Sequence, residues 1–181
     1  HHHDIKPDIV TVGKAMTSGY LPLSAAAVRR EVFEKFEGTE EYGRLRHVNT
    51  FGGNPAACAV AVKNLEIMED EDLCGRAAVL GKRLREELTE LKNHPNVGDI
   101  RGKGLLFGIE LVEDKESKQP VSTPMMDKVI SACKERGLIL RYNRDTTPGV
   151  NNVLALAPPL SITDEDFEFI VETVKGSFEQ L

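Results

Sequence analysis

Residues 5–23 read IKPDIVTVGKAMTSGYLPL. After a Pro7-Asp8 turn, Ile9-Val10-Thr11-Val12 is an apolar, β-branched run of the kind that forms strands buried on both faces of a parallel sheet. A second such run covers Leu23 to Val28. The small, flexible residues between them predict that Lys14 sits at the mouth of a buried strand. Most lysines are solvated surface residues. Here the apolar flank of Val10, Val12 and Gly13, followed by small residues, leaves the stem no obvious route to water. A buried ammonium without a partner shifts toward the neutral amine, the form that attacks carbonyl carbon. The expectation is a Schiff-base lysine. A phosphate-binding P-loop does not fit, because GxxxxGK[ST] needs glycine where Asp8 stands and a hydroxyl where Ala15 stands.

Working outward, Arg30 to Phe36 predicts a short amphipathic helix, and the polar stretch Gly38 to Asn49 a loop. It leads to Thr50-Phe51-Gly52-Gly53-Asn54-Pro55. Asn54 as N-cap and Pro55 at the first helical position predict a helix to about Glu69, close-packed through its small residues Ala56 to Ala61. The hydroxyl, the two glycines and the free N–H groups of the helix start suit a phosphate. The same spacing is also that of an ordinary glycine turn before a capped helix.

Leu73, Ala77, Leu80, Leu84, Leu88 and Leu91 form one continuous helical stripe that ends at Pro95. The break near residue 72 divides the chain into segments 1–72 and 73–181. Val97 to Val112 predicts a β-hairpin; Gly102 and Gly104 do not make a dinucleotide loop, since the next glycine is Gly108 and GxGxxG fails. Thr123-Pro124 opens a helix with Met126, Val129, Ile130 and Cys133 on its inner face, stopped by Gly137. Met and Cys there are expected to fill core. Leu138 to Arg141 and Val153 to Ala157 predict strands around a long turn, Asn143 to Asn152. Thr163 caps a last helix that starts with three acids and buries Phe167, Ile170, Val171, Val174 and Phe178.

Composition narrows the function classes. The 181 residues are 40% hydrophobic and 29% charged, which suits a globular chain. A net charge of −6 without a basic block argues against a nucleic-acid backbone or an anionic membrane as main partner. Cys58, Cys74 and Cys133 are odd in number and lack CxxC spacing, so no disulfide framework and no metal site is expected, and a reducing cytoplasm fits best. No apolar run approaches a membrane span. His1-His2-His3 reads as a tag remnant or a native polar loop and is kept out of the functional argument. No starting Met precedes a stretch that already reads as mid-domain, so a fragment is expected.

Pro7 to Leu23 resembles the cofactor-lysine segment of class III pyridoxal-phosphate aminotransferases, the omega-transaminase group. Thr50 to Ala57 (TFGGNPAA) is similar to the family's phosphate-contacting segment, Gly98 to Leu111 to its small-domain hairpin, and Pro158-Pro159-Leu160 to its closing motif. The resemblance runs in register along almost the whole chain and covers the C-terminal part of a family member. It implies an α/β fold of the aspartate-aminotransferase-like type (fold type I). Residues 1–72 would be the C-terminal part of the large domain, and residues 73–181 the small α+β domain. It also implies that Lys14 binds pyridoxal 5'-phosphate covalently and, once displaced by the substrate amine, moves the proton between substrate and cofactor. Thr50 would reach the cofactor phosphate of the neighbouring subunit, making the working unit at least a homodimer. Arg141 would hold the substrate carboxylate, but the sequence departs from the family pattern in the longer turn Asn143 to Asn152 and in Arg144, where glycine is frequent, so Arg141, Arg144 or neither is left to serve. The family's pyridinium-pairing acid, ring-stacking aromatic and main phosphate loop all precede the lysine, so this polypeptide alone is expected to bind the cofactor weakly and turn over little. The implied reaction moves an amino group from an amine or omega-amino acid to a 2-oxo acid. Aminomutase or decarboxylase chemistry, and a non-catalytic folding or assembly module, are the competing readings.

Overall fold

The structure is a computed structural model that describes residues 4–40, 43–142, 147–179 and 181. The chain forms two compact units, His1–Glu71 and Asp72–Leu181.

In the first unit, β1 (Ile9–Val12) pairs with β2 (Ala25–Val28) in register from Ile9 opposite Val28 to Val12 opposite Ala25. The pairing is antiparallel, and every residue of both strands is exposed. This corrects the parallel, doubly buried strand expected from the apolar run. β-branched residues favour an extended backbone whatever the direction of the neighbouring strand. Here the intervening segment simply turns back, and no crossover helix intervenes to make the pair parallel. α1 (Arg30–Phe33) continues into a 3-10 turn over Glu34–Phe36. α2 (Pro55–Asp70) begins as its cap predicts: the Asn54 side chain accepts a hydrogen bond from the Ala57 N–H at 3.1 Å, with Pro55 at the first position.

The second unit holds the larger core. α3 (Leu73–Leu88) is capped by Asp72, whose carboxylate accepts from the Gly75 N–H at 3.2 Å. A 3-10 turn, Thr89–Asn93, extends it. β3 (Val97–Lys103) and β4 (Leu106–Leu111) form the expected hairpin, closed by Gly104 at φ +54°. With β5 (Arg141–Tyr142) and β6 (Val153–Leu156) they make an antiparallel sheet of order β3-β4-β6-β5. The strand expected over Leu138 to Arg141 is shorter and shifted. Among the described residues of this segment, only Arg141 and Tyr142 meet β6, opposite Ala155 and Leu154. Leu138 and Leu140 instead pack, half-buried, against the core. α4 (Thr123–Glu135) and α5 (Asp164–Phe178) complete the unit.

The alternation of β4 turns Phe107, Ile109 and Leu111 inward, where they meet Leu80, Leu84 and Leu88 of α3, Met126 and Val129 of α4, and Phe167, Val171 and Val174 of α5. Cys133 is wholly buried, and burial pushes its thiol above the ordinary range. It fills core, as its place on the inner face predicts. Lys175 on α5 bonds Glu87 and Glu90 at 2.8 Å, joining this helix to α3 and to the turn that follows it. The lysine's hydrogen bond holds the Glu87 carboxyl below the usual carboxylate range.

One close approach decides how α3 sits on the hairpin. A Cβ at Gly81 would fall 2.1 Å from the Gly104 carbonyl oxygen. Alanine normally stabilises a helix interior relative to glycine by about 1 kcal/mol. Here overpacking should exceed that gain, at about 1–3 kcal/mol. Gly81→Ala is therefore expected to lower the urea unfolding midpoint of the protein instead of raising it.

Candidate active site

Lys14 lies where β1 ends. Gly13 is extended at φ −169°, and Lys14 then enters the left-handed region at φ +48°, opening a 3-10 turn over Lys14–Thr17. A side chain with a Cβ is crowded there by its own backbone, so surrounding contacts must hold it. Those contacts are present. The Met16 N–H donates to the Gly13 carbonyl at 3.1 Å and the Ser18 N–H to the Ala15 carbonyl at 3.0 Å. Thr17 is wholly buried, and its hydroxyl donates to the Leu21 carbonyl. From α2, the Asn64 side-chain amide donates to the Ala15 carbonyl at 3.1 Å and to the Met16 carbonyl at 3.3 Å.

The Lys14 side chain itself is exposed, which corrects the expected sheltering. Its apolar flank, Val10 and Val12, lies on a strand pair that is itself open to solvent. Apolar neighbours along the chain do not make a buried site unless a second layer covers them.

Facing the lysine turn is the segment that leads into α2. The Gly52 N–H donates to the Asn49 carbonyl at 2.9 Å, and a Cβ on Gly52 would stand 3.0 Å from that oxygen. Gly53 takes φ +67°, which glycine adopts at no steric cost. The two segments enclose an open cleft of about 830 Å3, with Lys14, Leu21, Ser24, Asn49, Gly52 and Gly53 among its lining. Thr50 is exposed and lies between two lining residues, Asn49 and Phe51.

The structure thus brings the lysine turn and the glycine turn to one cleft. Arg141 is exposed on β5 of the second unit, and Arg144 lies outside the described residues. Sequence reasoning missed Asn64. Its only signal was a carboxamide in mid-helix, beside the charged Lys63 and Glu66, and such a residue is commonly solvated. Among the described residues, no group of three or more His, Cys, Asp or Glu side chains is placed to hold a metal ion. Among them, too, no helix is long and apolar enough to cross a membrane.

The family model for class III aminotransferases matches residues 1–177. The chain belongs to that family. It is 57% identical to the uncharacterized aminotransferase YhxA of Bacillus subtilis (strain 168) over 99% of this chain and 40% of that protein. It is 34% identical to the taurine–pyruvate aminotransferase of Rhodobacter capsulatus, over 99% of this chain and 40% of that one. Among solved structures, a Bacillus anthracis aminotransferase superposes with a TM-score of 0.85 at 55% identity, covering 98% of this chain and 40% of the other. The chain spans about 40% of the length of the curated relatives it matches. The class III aminotransferase fold is the α/β fold of pyridoxal-phosphate-dependent transaminases, fold type I, as the resemblance implied. The family's cofactor is pyridoxal 5'-phosphate.

The residues present fit that group. An aldehyde needs a primary amine with room around it, and the exposed Lys14 amine lines a cleft large enough for a cofactor of this size. A phosphate needs close backbone approach, and the opposite wall is a turn of two glycines at a helix start.

Proposed function

We propose that this chain is the C-terminal portion of a transaminase that moves an amino group from an amine or omega-amino acid donor to a 2-oxo acid, with Lys14 as its cofactor lysine. The observation that carries the proposal is the shared cleft of the strained lysine turn and the Gly52-Gly53 turn. On this reading residues 1–72 are part of the large cofactor-binding domain and residues 73–181 the small C-terminal domain.

When bound, pyridoxal 5'-phosphate supplies an electron sink for the charge left when a substrate carbon loses its proton. The Lys14 Nζ anchors the cofactor. Once substrate amine has taken its place, the same nitrogen is free to accept that proton and return it, as a general base and then an acid. Gly52, whose N–H the Asn49 carbonyl holds, and Gly53 would let an anion approach the backbone of the turn without a Cβ in the way. The Thr50 hydroxyl, on the exposed turn, would donate to the cofactor phosphate of a neighbouring subunit, which would make the functional unit at least a homodimer. Arg141, at an exposed sheet edge, presents a planar fork that matches a carboxylate, with Arg144 as the alternative. The protein acts in the cytoplasm.

The similarity to a taurine–pyruvate aminotransferase supports omega-amino donors and pyruvate as acceptor. The test is product analysis on the full-length protein with cofactor, an omega-amino acid and pyruvate. Transamination yields alanine in step with loss of donor. Donor isomerisation or carbon dioxide release without alanine would instead assign aminomutase or decarboxylase chemistry. If the cofactor also left the melting temperature unchanged, the chain would be a non-catalytic module, because a ligand that binds only the native state must stabilise it.

A further inference from the structure

The turn that carries Lys14 is held from outside by a side chain of α2, Asn64. Its left-handed residues, Lys14 at φ +48° and Ser18 at φ +52°, are unfavourable for residues with a Cβ. Inside the turn the Ala15 carbonyl accepts from the Ser18 N–H at 3.0 Å, and its second lone pair can take a further donor. The half-buried Asn64 meets two of the turn's carbonyls, Ala15 at 3.1 Å and Met16 at 3.3 Å, through its amide nitrogen. Of the two ends of a carboxamide only the NH₂ can donate, and its two hydrogens serve the two oxygens, which settles the orientation of this side chain.

The same helix fixes the opposite wall of the cleft. At its N-terminus, Asn54 caps α2 and donates its own N–H to the Phe51 carbonyl at 3.3 Å, tying down the glycine turn. The ten steps from Asn54 to Asn64 amount to a rise of roughly 15 Å along the helix. α2 is therefore a strut with the glycine turn at one end and a grip on the lysine turn further along.

We propose that Asn64 is a positioning residue: by holding the Ala15 and Met16 carbonyls it sets the backbone from which Lys14 is presented to the cofactor. The inference rests on Lys14 being the cofactor lysine. Without Asn64 the turn relaxes out of its left-handed conformation. The amine remains able to bond the cofactor but stands displaced from the carbon whose proton it must move. Displacements of this kind cost chemistry more than binding.

Two variants test this in the full-length protein. Asn64→Leu removes both donors at similar volume, and Asn64→Asp keeps the shape but cannot donate. In the cofactor-free protein, hydrogen exchange at the amides of residues 16–20 should quicken about tenfold in both variants, while amides in the middle of α2 keep their rates. In the loaded protein, kcat should fall about tenfold or more with KM for the amine donor little changed. Borohydride reduction followed by peptide mapping locates the cofactor. A label on another lysine overturns the assignment of Lys14, whatever the variants do. A label on Lys14 with wild-type kcat in either folded variant overturns the role of Asn64 alone. So does unchanged exchange in residues 16–20.

Discussion

Replacing Lys14 by alanine is expected to abolish borohydride-trapped cofactor in the full-length protein and to lower kcat by roughly 10²–10⁴-fold, the range spanned by general acid–base groups. The role of Lys14 does not depend on burial, since its side chain is exposed. It depends on place. Lys14 lines the cleft of about 830 Å3 opposite the Gly52-Gly53 turn, on a backbone held at φ +48°. Strain of that kind persists only where the surroundings impose it, and it clusters at functional sites. A neighbouring lysine provides the control. Lys63, on α2, is exposed and paired with Glu66 at 3.1 Å, so Lys63→Ala should leave both label and turnover unchanged. A wild-type yield of trapped cofactor in Lys14→Ala would show that the amine lies elsewhere, and the reading of the cleft would fall with it.

The second large effect concerns stability. Leu88 is 0% exposed, at the end of the α3 stripe within the core of the second unit. Leu88→Ala is expected to cost about 2–5 kcal/mol, the sum of lost transfer energy and the cavity left in a close-packed site. Val79, on the same helix, is 70% exposed. Val79→Ala removes two methyl groups that already touch water, so its effect should stay within about 0.5 kcal/mol. Urea unfolding followed by circular dichroism measures both. Similar midpoints for the two variants would mean that the stripe does not carry the stability of the unit. The wide contrast expected between them comes from burial alone, as both are apolar truncations on one helix.

Much of the second unit was legible in the residues. The leucine stripe predicted α3 and its buried face, because a helix must cover its apolar side and its period is visible along the chain. The Thr163 cap there, like the Asn54-Pro55 cap of the first unit, predicted a helix start, because capping is a contact between near neighbours. The run from Val97 to Val112 predicted the hairpin, and the structure places Gly104 in its turn at a positive φ that glycine adopts at no steric cost. In the first unit the reading of local extension held and the reading of surroundings did not. Ile9–Val12 is a strand, yet its partner runs antiparallel and its faces are open. Pattern reports which residues are apolar and says nothing of which layer, if any, covers them.

The candidate site divides in the same way. Lys14 and the Thr50 segment were found from residue type and from resemblance to class III aminotransferases, since both lie in short contiguous motifs. Asn64 was not, for it meets the Ala15 carbonyl across a separation of 49 residues. Amino-acid order by itself determined the helices, their caps, the hairpin and the chemical character of the lysine and glycine segments, all of which follow from interactions over a few residues. Only the folded arrangement decided the direction of strand pairing, the exposure of Lys14, the seating of Gly81 against Gly104 and the grip of Asn64. Each of these depends on groups remote along the chain coming within a few ångströms, and that proximity is a property of packing in three dimensions.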